Sequence, residues 1–386
     1  MRHFVFLIAL LSAFPALSTD MYLPALPVLQ KTWGEPLATV NLTLIAFFVT
    51  YCFSMLIYGP VSDRIGRRKP LLMGISFYVV ACAACAMSSG VWMMVFFRAL
   101  QAAGAAAGSA LALAIAKDVF ESDKRAQVIA YVSVIIALAP MLAPIIGGWI
   151  MTVADWPWVF AAQGFMGLVA LAAVWRMEEP LRVYSDDKLR HSLSVYLRIM
   201  ANPRFSGLNL ATAIMSLPFF AFIAGSSDIY ITRFGLSETS FGYFFGFNAL
   251  SLMSGSFIFS RLTRLVSTKH ILTISFGGIL AAGLWMALST HTGPWDLALP
   301  MWGLGFCMGL SRPPATNLIL DQVDHDTGSA SSLIAFTFMM LGALGMFIVS
   351  LDWADKIQVI GMLGVIVGGV DLVFWGVFRN RFAIKG

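Results

Sequence analysis

Five ionisable side chains sit inside long apolar runs of this sequence: Asp20, Arg98, Asp228, Arg312 and Asp371. At the centre of a helix in hydrocarbon each costs roughly 2.5–3.5 kcal/mol, so such residues normally face a protein interior or a water-filled cavity. A carboxyl removed from water holds its proton more tightly. If it loads that proton from one side of a membrane and releases it to the other, it is a coupling device. Asp20, in "LSTDMYLPALP" (Leu17–Pro27), has no basic residue near it in sequence and is the first candidate. A permanent ion pair tying its helix to a neighbour is the competing role, and position alone does not separate the two. Asp228 is the second candidate, although it lies near the end of its run and could be wet. Arg98 could favour the ionised form of Asp20 or satisfy backbone carbonyls. Arg312 precedes Pro313 and Pro314, whose missing N–H groups free carbonyls that a guanidinium could take up. Asp371 reads as structural.

The elements that must position these groups are transmembrane helices. Of the 386 residues 59% are hydrophobic and only 12% charged, with a mean hydropathy of +0.81; soluble domains carry about 25% charged residues. Apolar runs of about 20 residues recur throughout and place helices near 4–29, 38–61, 70–89, 91–115, 127–151, 156–176, 206–231, 239–260, 270–290, 295–319, 328–350 and 357–378. The first run alone could pass for a signal peptide, a reading its successors make unnecessary. The four cysteines (Cys52, Cys82, Cys85, Cys307) fall within spans, where C-x-x-C means small packing residues, and the five histidines show no ligand spacing.

An even number of spans puts both termini on one side. With the N-terminus inside, 20 of the 25 Lys and Arg fall on the cytoplasmic side, among them Arg2, Arg64, Lys188, Arg190, Arg264, Arg379, Arg381 and Lys385. Lys31, Arg233 and Lys356 remain outside. This is the positive-inside bias, so the formal charge of +5 needs no nucleic-acid partner. The charged segment 178–205 reads as a cytoplasmic linker between two six-helix halves, 1–177 and 206–386. Internal echoes agree. "TDMYL" (Thr19–Leu23) returns as "SDIYI" (Ser227–Ile231), "SDRIGR" (Ser62–Arg67) as "SRLTRL" (Ser260–Leu265), and Arg98 is matched by Arg312, at offsets of 208, 198 and 214.

"GPVSDRIGRRKP" (Gly59–Pro70) contains G-x-x-x-D-R-x-G-R-R and resembles the signature loop of the major facilitator superfamily. "RALQAAGAA" from Arg98 resembles that family's helix-4 motif. "APMLAPIIGG" (Ala139–Gly148) is similar to its helix-5 antiporter motif, with Ala139 and Ala143 in place of two glycines. "DMYLPALP" with "NLTL" (Asn41–Leu44) resembles the bicyclomycin/chloramphenicol-resistance branch of drug–proton antiporters. The resemblance covers essentially the whole chain and implies an all-α membrane protein of 12 transmembrane helices in two pseudo-symmetric halves. It also implies a cytoplasmic gate formed by Gly59, Asp63, Arg64, Gly66, Arg67 and Arg68. There Arg67 would pair with Asp118, and Asp63 would face the start of helix 11. Physical chemistry fits this: a glycine permits close helix approach, and an anion suits a helix N-terminus. Pro140, Pro144, Gly147 and Gly148 would form a closely packed seal in helix 5, and Gly104 and Gly108 a G-x-x-x-G packing face in helix 4.

In a two-half transporter the cavity lies near the midplane between the halves, lined largely by helices 1, 4, 7 and 10, which carry four of the five ionisable residues within spans. Candidate cavity residues are Met21, Tyr22, Asn41, Phe47, Tyr51, Gln101, Phe219, Phe220, Tyr230, Phe244, Phe247, Asn248 and Arg312, since flat rings and Met suit varied amphipathic ligands. Each of these rings could equally face lipid. G-x-x-x-x-G-K-[ST] does not occur, so ATP is not the energy source within this chain and the ion gradient remains. The expectation is a proton-coupled efflux antiporter for small amphipathic drugs, without cofactor, monomeric, in a bacterial inner membrane with both termini cytoplasmic. A metabolite transporter for nucleosides or amino acids on the same scaffold is the alternative, with Asn41, Gln101, Asn248 and Asn317 as its polar contacts. An enzyme would need an acid/base or metal constellation at one depth, and the sequence shows none; a non-transporting scaffold would not need both the gate loop and the buried carboxyls.

Overall fold

A computed structural model describes residues 2–184, 189–263, 265–323 and 325–378. Of the basic residues assigned to the cytoplasmic side from sequence, Lys188, Arg264, Arg379, Arg381 and Lys385 lie outside the described residues, as do the side chains of Arg2 and Arg190. The described chain is helical, with no strand among its residues. It divides into two compact units, 1–192 with 237–243, and 193–236 with 244–386.

The first unit contains α1 (Arg2–Asp20), α2 (Leu26–Trp33), α3 (Leu37–Ile65), α4 (Arg68–Ala86), α5 (Val91–Val119), α6 (Ser122–Val153) and α7 (Pro157–Trp175). The span expected as one helix over 4–29 is broken. α1 stops at Asp20, a 3-10 turn occupies Leu23–Ala25, and α2 follows. Pro24 explains the break, because it has no N–H to return to the Asp20 carbonyl four residues earlier. α5 is the central helix of this unit and packs against α1, α3 and α4. Its G-x-x-x-G face serves two neighbours. A Cβ on Gly104 would lie 2.6 Å from the Tyr78 nitrogen of α4, and one on Gly108 would lie 3.2 Å from the Leu11 carbonyl of α1. That carbonyl is freed by Pro15 and accepts a hydrogen bond from Ser109 Oγ at 3.5 Å.

The second unit contains α8 (Leu189–Met200, whose first residues belong to the first unit), α9 (Pro203–Ala213), α10 (Ser216–Ser227), most of α11 (Glu238–Leu262), α12 (Thr268–Leu288), α13 (Trp295–Leu320), α14 (Thr327–Ser350) and α15 (Lys356–Phe378). The segment 178–205, expected as a linker, contains the helix α8, which buries Val195 and Ile199. The next helix starts at Pro203, earlier than 206. Asn202 caps it by accepting the N–H groups of Arg204 (3.0 Å) and Phe205 (3.4 Å), the usual pairing of an Asn cap with Pro at the first helical position. The span expected over 206–231 is also discontinuous. Pro218 denies the Ile214 carbonyl its partner, so α9 and α10 are separated at Ile214–Met215, and Asp228–Arg233 forms a π-helical segment. Among the described residues ten helical segments are long and apolar enough to span a membrane. α11 and α13, of 25 and 26 residues, fall at the other two positions expected from sequence but are not among those ten.

Candidate functional site

The break in α1 creates the most polar buried cluster of the first unit. Because Tyr22 turns back to donate to the Thr19 carbonyl, the Ser18 carbonyl is left for another donor, and Arg98 of α5 takes it at 2.9 Å. The same Nη1 donates to Gln101 Oε1 at 2.5 Å. Gln101 Nε2 in turn donates to Gln163 Oε1 of α7 at 2.8 Å, and Gln163 Nε2 returns to the Leu17 carbonyl at 3.2 Å. Arg98 is fully buried, and its Nε and Nη2 have no hydrogen-bond acceptor among the described residues. Its guanidinium carbon instead lies 4.4 Å from the Phe47 ring centre, 4.9 Å from Tyr22 and 5.9 Å from Phe160. Cation–π attraction is worth about 2 kcal/mol or more in desolvated sites, so aromatic faces replace part of the missing hydration.

Asp20 stands at the end of α1, 5% exposed. Its Oδ1 accepts the Thr19 hydroxyl at 2.9 Å. Among the described residues no Lys, Arg or His nitrogen lies within 4.0 Å of it. The competing role, a permanent ion pair tying α1 to a neighbouring helix, is therefore not seen among the described residues: Arg98 is held by neutral acceptors and rings.

Its echo in the second unit has a different environment. Asp228, the second candidate from sequence, opens the π-helical segment and pairs with Lys356 of α15 at 2.5 Å. Beside it Arg233 grips Asp355 through both terminal nitrogens, at 2.7 and 3.0 Å, and His291 Nδ1 meets the same carboxyl at 2.7 Å. Burial works to raise the pKa of Asp355. The bonds from Arg233, His291 and the Gln358 N–H outweigh it and hold the carboxyl well below the usual range.

The expected cavity residues separate by unit. Tyr22, Phe47 and Gln101 gather on Arg98. Tyr51 stacks on Phe47 with ring centres 6.2 Å apart, and Met21 and Asn41 are buried. In the second unit Tyr230 stacks on Phe244 at 5.1 Å, and Phe244 and Phe247 both meet Trp295 edge-on. Asn248 is buried, Phe219 and Phe220 meet edge-on at 5.8 Å, and Asn317 is exposed. Arg312 lies 4.0 Å from the Phe338 ring centre.

The loop between α3 and α4 is tied down within its own unit. Arg67 donates through Nε to Asp118 Oδ2 of α5 at 2.8 Å and through Nη1 to Asp63 Oδ1 at 2.5 Å and Ser62 Oγ at 2.6 Å. Burial would lower the Arg67 pKa, but Asp118 and Asp63 outweigh it and raise it above its ordinary value. The implied Arg67–Asp118 pair is thus present. Glu179, absent from the sequence reading, completes the site. Its two oxygens accept the Arg67 N–H at 2.7 Å and the Arg68 N–H at 3.0 Å, capping the start of α4. Arg68 Nη2 reaches the Trp175 carbonyl at 2.6 Å. Gly66 is required here twice over: its φ is +92°, and a Cβ would lie 2.7 Å from Glu179 Cδ. Arg64 is exposed and makes no ion pair among the described residues. The close helix approach expected at Gly59 is not seen, since a Cβ there would meet no described atom within 4 Å.

α6 runs through Pro140 and Pro144 without interruption. The two glycines that follow are contact points: a Cβ on Gly147 would strike the Met21 carbonyl in the α1 break, and one on Gly148 would lie 2.5 Å from the Glu238 carbonyl at the start of α11. Gln163, Phe160, Glu179 and Lys356 were all missed from sequence. Gln163 had a visible signal, as the one amide in the apolar run "PWVFAAQGFMGLVALAAVW".

Residues 8–346 match the family model described as Major Facilitator Superfamily. Among curated proteins, the chain is similar to the "Uncharacterized MFS-type transporter YdgK" of Bacillus subtilis (strain 168). The two are 29% identical over 97% of this chain and 95% of that protein. It is also similar to the "Chloramphenicol resistance protein" of Pseudomonas aeruginosa, 28% identical over 89% of this chain and 84% of that protein. Among solved structures, a D-xylose–proton symporter superposes with a TM-score of 0.79 at 13% identity, covering 100% of this chain and 98% of that one. At that identity the likeness shows the fold alone.

Proposed function

This chain belongs to the Major Facilitator Superfamily, and on that premise we propose that it exports small amphipathic drugs in exchange for protons, with Asp20 as the coupling carboxyl. The observation that carries the reading is the contrast between the two echoed aspartates. Asp228 has its own cation in Lys356, whereas Asp20 is buried at a helix break with a single hydroxyl donor. Discontinuous helices are where transporters of this kind place substrate and ion sites. An unpaired buried carboxylate is costly, so Asp20 rests as the neutral acid in this conformation. A substrate, or a shift of Arg98 away from its neutral acceptors, stabilises the ionised form and expels the proton. Proton and substrate then compete for one group, and the membrane gradient drives the exchange at about 2.3 kcal/mol per charge per 100 mV.

The Arg67–Asp118–Glu179 cluster serves as the cytoplasmic latch, the glycine contacts of α6 limit leak, and the rings about Arg98 offer flat faces to amphipathic ligands. The protein works as a monomer in the bacterial inner membrane with both termini cytoplasmic. The name of the Pseudomonas relative and the branch resemblance of "DMYLPALP" point to phenicols and bicyclomycin as first substrates. The test is proton release from acidified inverted vesicles as phenicols, bicyclomycin, nucleosides and amino acids are added in turn. Release evoked by the drugs supports export. Release evoked only by a metabolite replaces the drug reading with the metabolite one on the same scaffold.

A further inference from the structure

Asp371 of α15 has no part in the site described above, and its surroundings are unusual for a structural carboxyl. It is 2% exposed, and its Oδ2 has no hydrogen-bond partner among the described residues. It borders a small cavity walled by Leu208 and Thr212 of α9, Leu272 and Phe276 of α12, Leu318 of α13 and Trp375 of its own helix. The two nearby donors are committed elsewhere. The Thr212 hydroxyl donates to the Leu208 carbonyl at 2.9 Å. The Trp375 indole donates to Thr273 Oγ1 at 3.1 Å and to the Lys269 carbonyl at 3.3 Å.

Charged groups exist on the elements packed around it but none lines the cavity: Arg204 on α9, Lys269 and His270 on α12, Asp296 and Arg312 on α13, Lys356 on α15, and none on α10 or α14. No cation lies within 4.0 Å of Asp371 among the described residues. A carboxylate here would have neither counter-ion nor donor, so the pocket fits the neutral acid.

The cavity also touches the places where helices of the second unit lose backbone bonds. Thr212 lies two residues before the α9–α10 break at Ile214–Met215, and Ala315, which shares the wall, directly follows Pro313 and Pro314. Thr212 and Ala315 also line the adjoining cavity that holds Arg312. Bending at either point would admit water from that side.

We propose that Asp371 is a second proton-binding carboxyl of the transport cycle, contained within the second unit and gated by bending of α9 and α13. When those helices bend and admit water from one side of the membrane, the carboxyl O–H bond breaks and the proton passes to that water; the carboxylate takes a proton from water admitted from the opposite side later in the cycle, and the pocket closes on the neutral acid. The proposal rests on the proton-coupled reading above and adds a second proton to it.

Two measurements test it. In reconstituted vesicles, the proton-to-substrate ratio is read from the gradient that just balances a substrate gradient. Asp371→Asn, close in shape to the neutral acid, should halve the ratio while substrate exchange continues; an unchanged ratio overturns the proposal. The second is infrared difference spectroscopy of the Asp20→Asn protein on a step to alkaline pH, which needs no transport. A carboxylic-acid C=O band should be lost on the step, shift in Asp20→Asn/Asp371→Glu, and be missing in Asp20→Asn/Asp371→Asn. Identical spectra in all three overturn it. If the wild type exchanges no protons but the band titrates at Asp371, the coupling reading has failed while the proton site stands.

Discussion

Replacing Glu179 by Gln changes one atom and should loosen the gate loop measurably. The carboxylate accepts two backbone N–H groups of the gate loop, Arg67 on Oε1 at 2.7 Å and Arg68 on Oε2 at 3.0 Å, and Oε1 also takes the Leu181 N–H at 3.1 Å. An amide can present an oxygen to only one of the two gate-loop groups and turns its own NH2 toward the other. Hydrogen bonds to charged groups contribute about 1.5–3 kcal/mol each, and the negative charge adds roughly 0.3–1 kcal/mol at a helix N-terminus. Glu179 is half-buried, so solvent recovers part of the loss, leaving about 2 kcal/mol. At 1.4 kcal/mol per tenfold this is roughly a 30-fold rise in local opening. Amide hydrogen exchange of the peptide covering residues 66–71 reads that opening directly. Glu178→Gln is the control, because Glu178 is exposed. The expected pattern is exchange about tenfold or more faster in Glu179→Gln and unchanged in Glu178→Gln, a range set by the same hydrogen-bond energies. Equal rates in both variants would refute the capping role and, with it, the inclusion of Glu179 in the latch.

Gly147→Ala sets a Cβ against the Met21 carbonyl, which is backbone and cannot swing aside; overpacking of this kind costs about 1–3 kcal/mol and should lower the thermal midpoint of the detergent-solubilised protein. Gln101→Leu removes an acceptor from Arg98 and a donor from Gln163; about 1–3 kcal/mol should be lost, with Gln101→Glu less harmful because it restores an acceptor for the guanidinium. Asp355→Asn should destabilise by about 1 kcal/mol near neutral pH, as expected for a partly exposed network. Because the folded pKa of Asp355 is depressed, its contribution is present above the unfolded value of about 3.9 and fades as pH falls through the folded one. Thermal midpoints of Asp355→Asn and wild type should therefore converge in acid; a gap that persists there contradicts the assignment.

The membrane class and the Arg67–Asp118 link were legible because each rests on a local signal: apolar runs of span length or a dense motif. Partners distant in sequence were not. Asp20 and Asp228 look equivalent in "TDMYL" and "SDIYI". They differ because Lys356, 128 residues beyond Asp228, pairs with one, while among the described residues the other meets no cation and accepts the Thr19 hydroxyl. Glu179 meets Arg67 across 112 residues, and no spacing rule announces it. The breaks in α1 and between α9 and α10 were available from Pro24 and Pro218, but hydropathy counts a proline in an apolar run as part of the span. α8 was read as linker because its short, half-polar period falls below span length, although Val195 and Ile199 lie one turn apart on one face.

The account stands most directly on competition between a proton and a substrate at Asp20. Purified protein in weakly buffered detergent, held at a pH where Asp20 is neutral, is mixed with a phenicol while a soluble dye reports free protons. The account predicts release of about one proton per substrate bound in the wild type, by linkage, and none in Asp20→Asn although the drug still binds. Equal release from both proteins, or binding without release in the wild type, would contradict it.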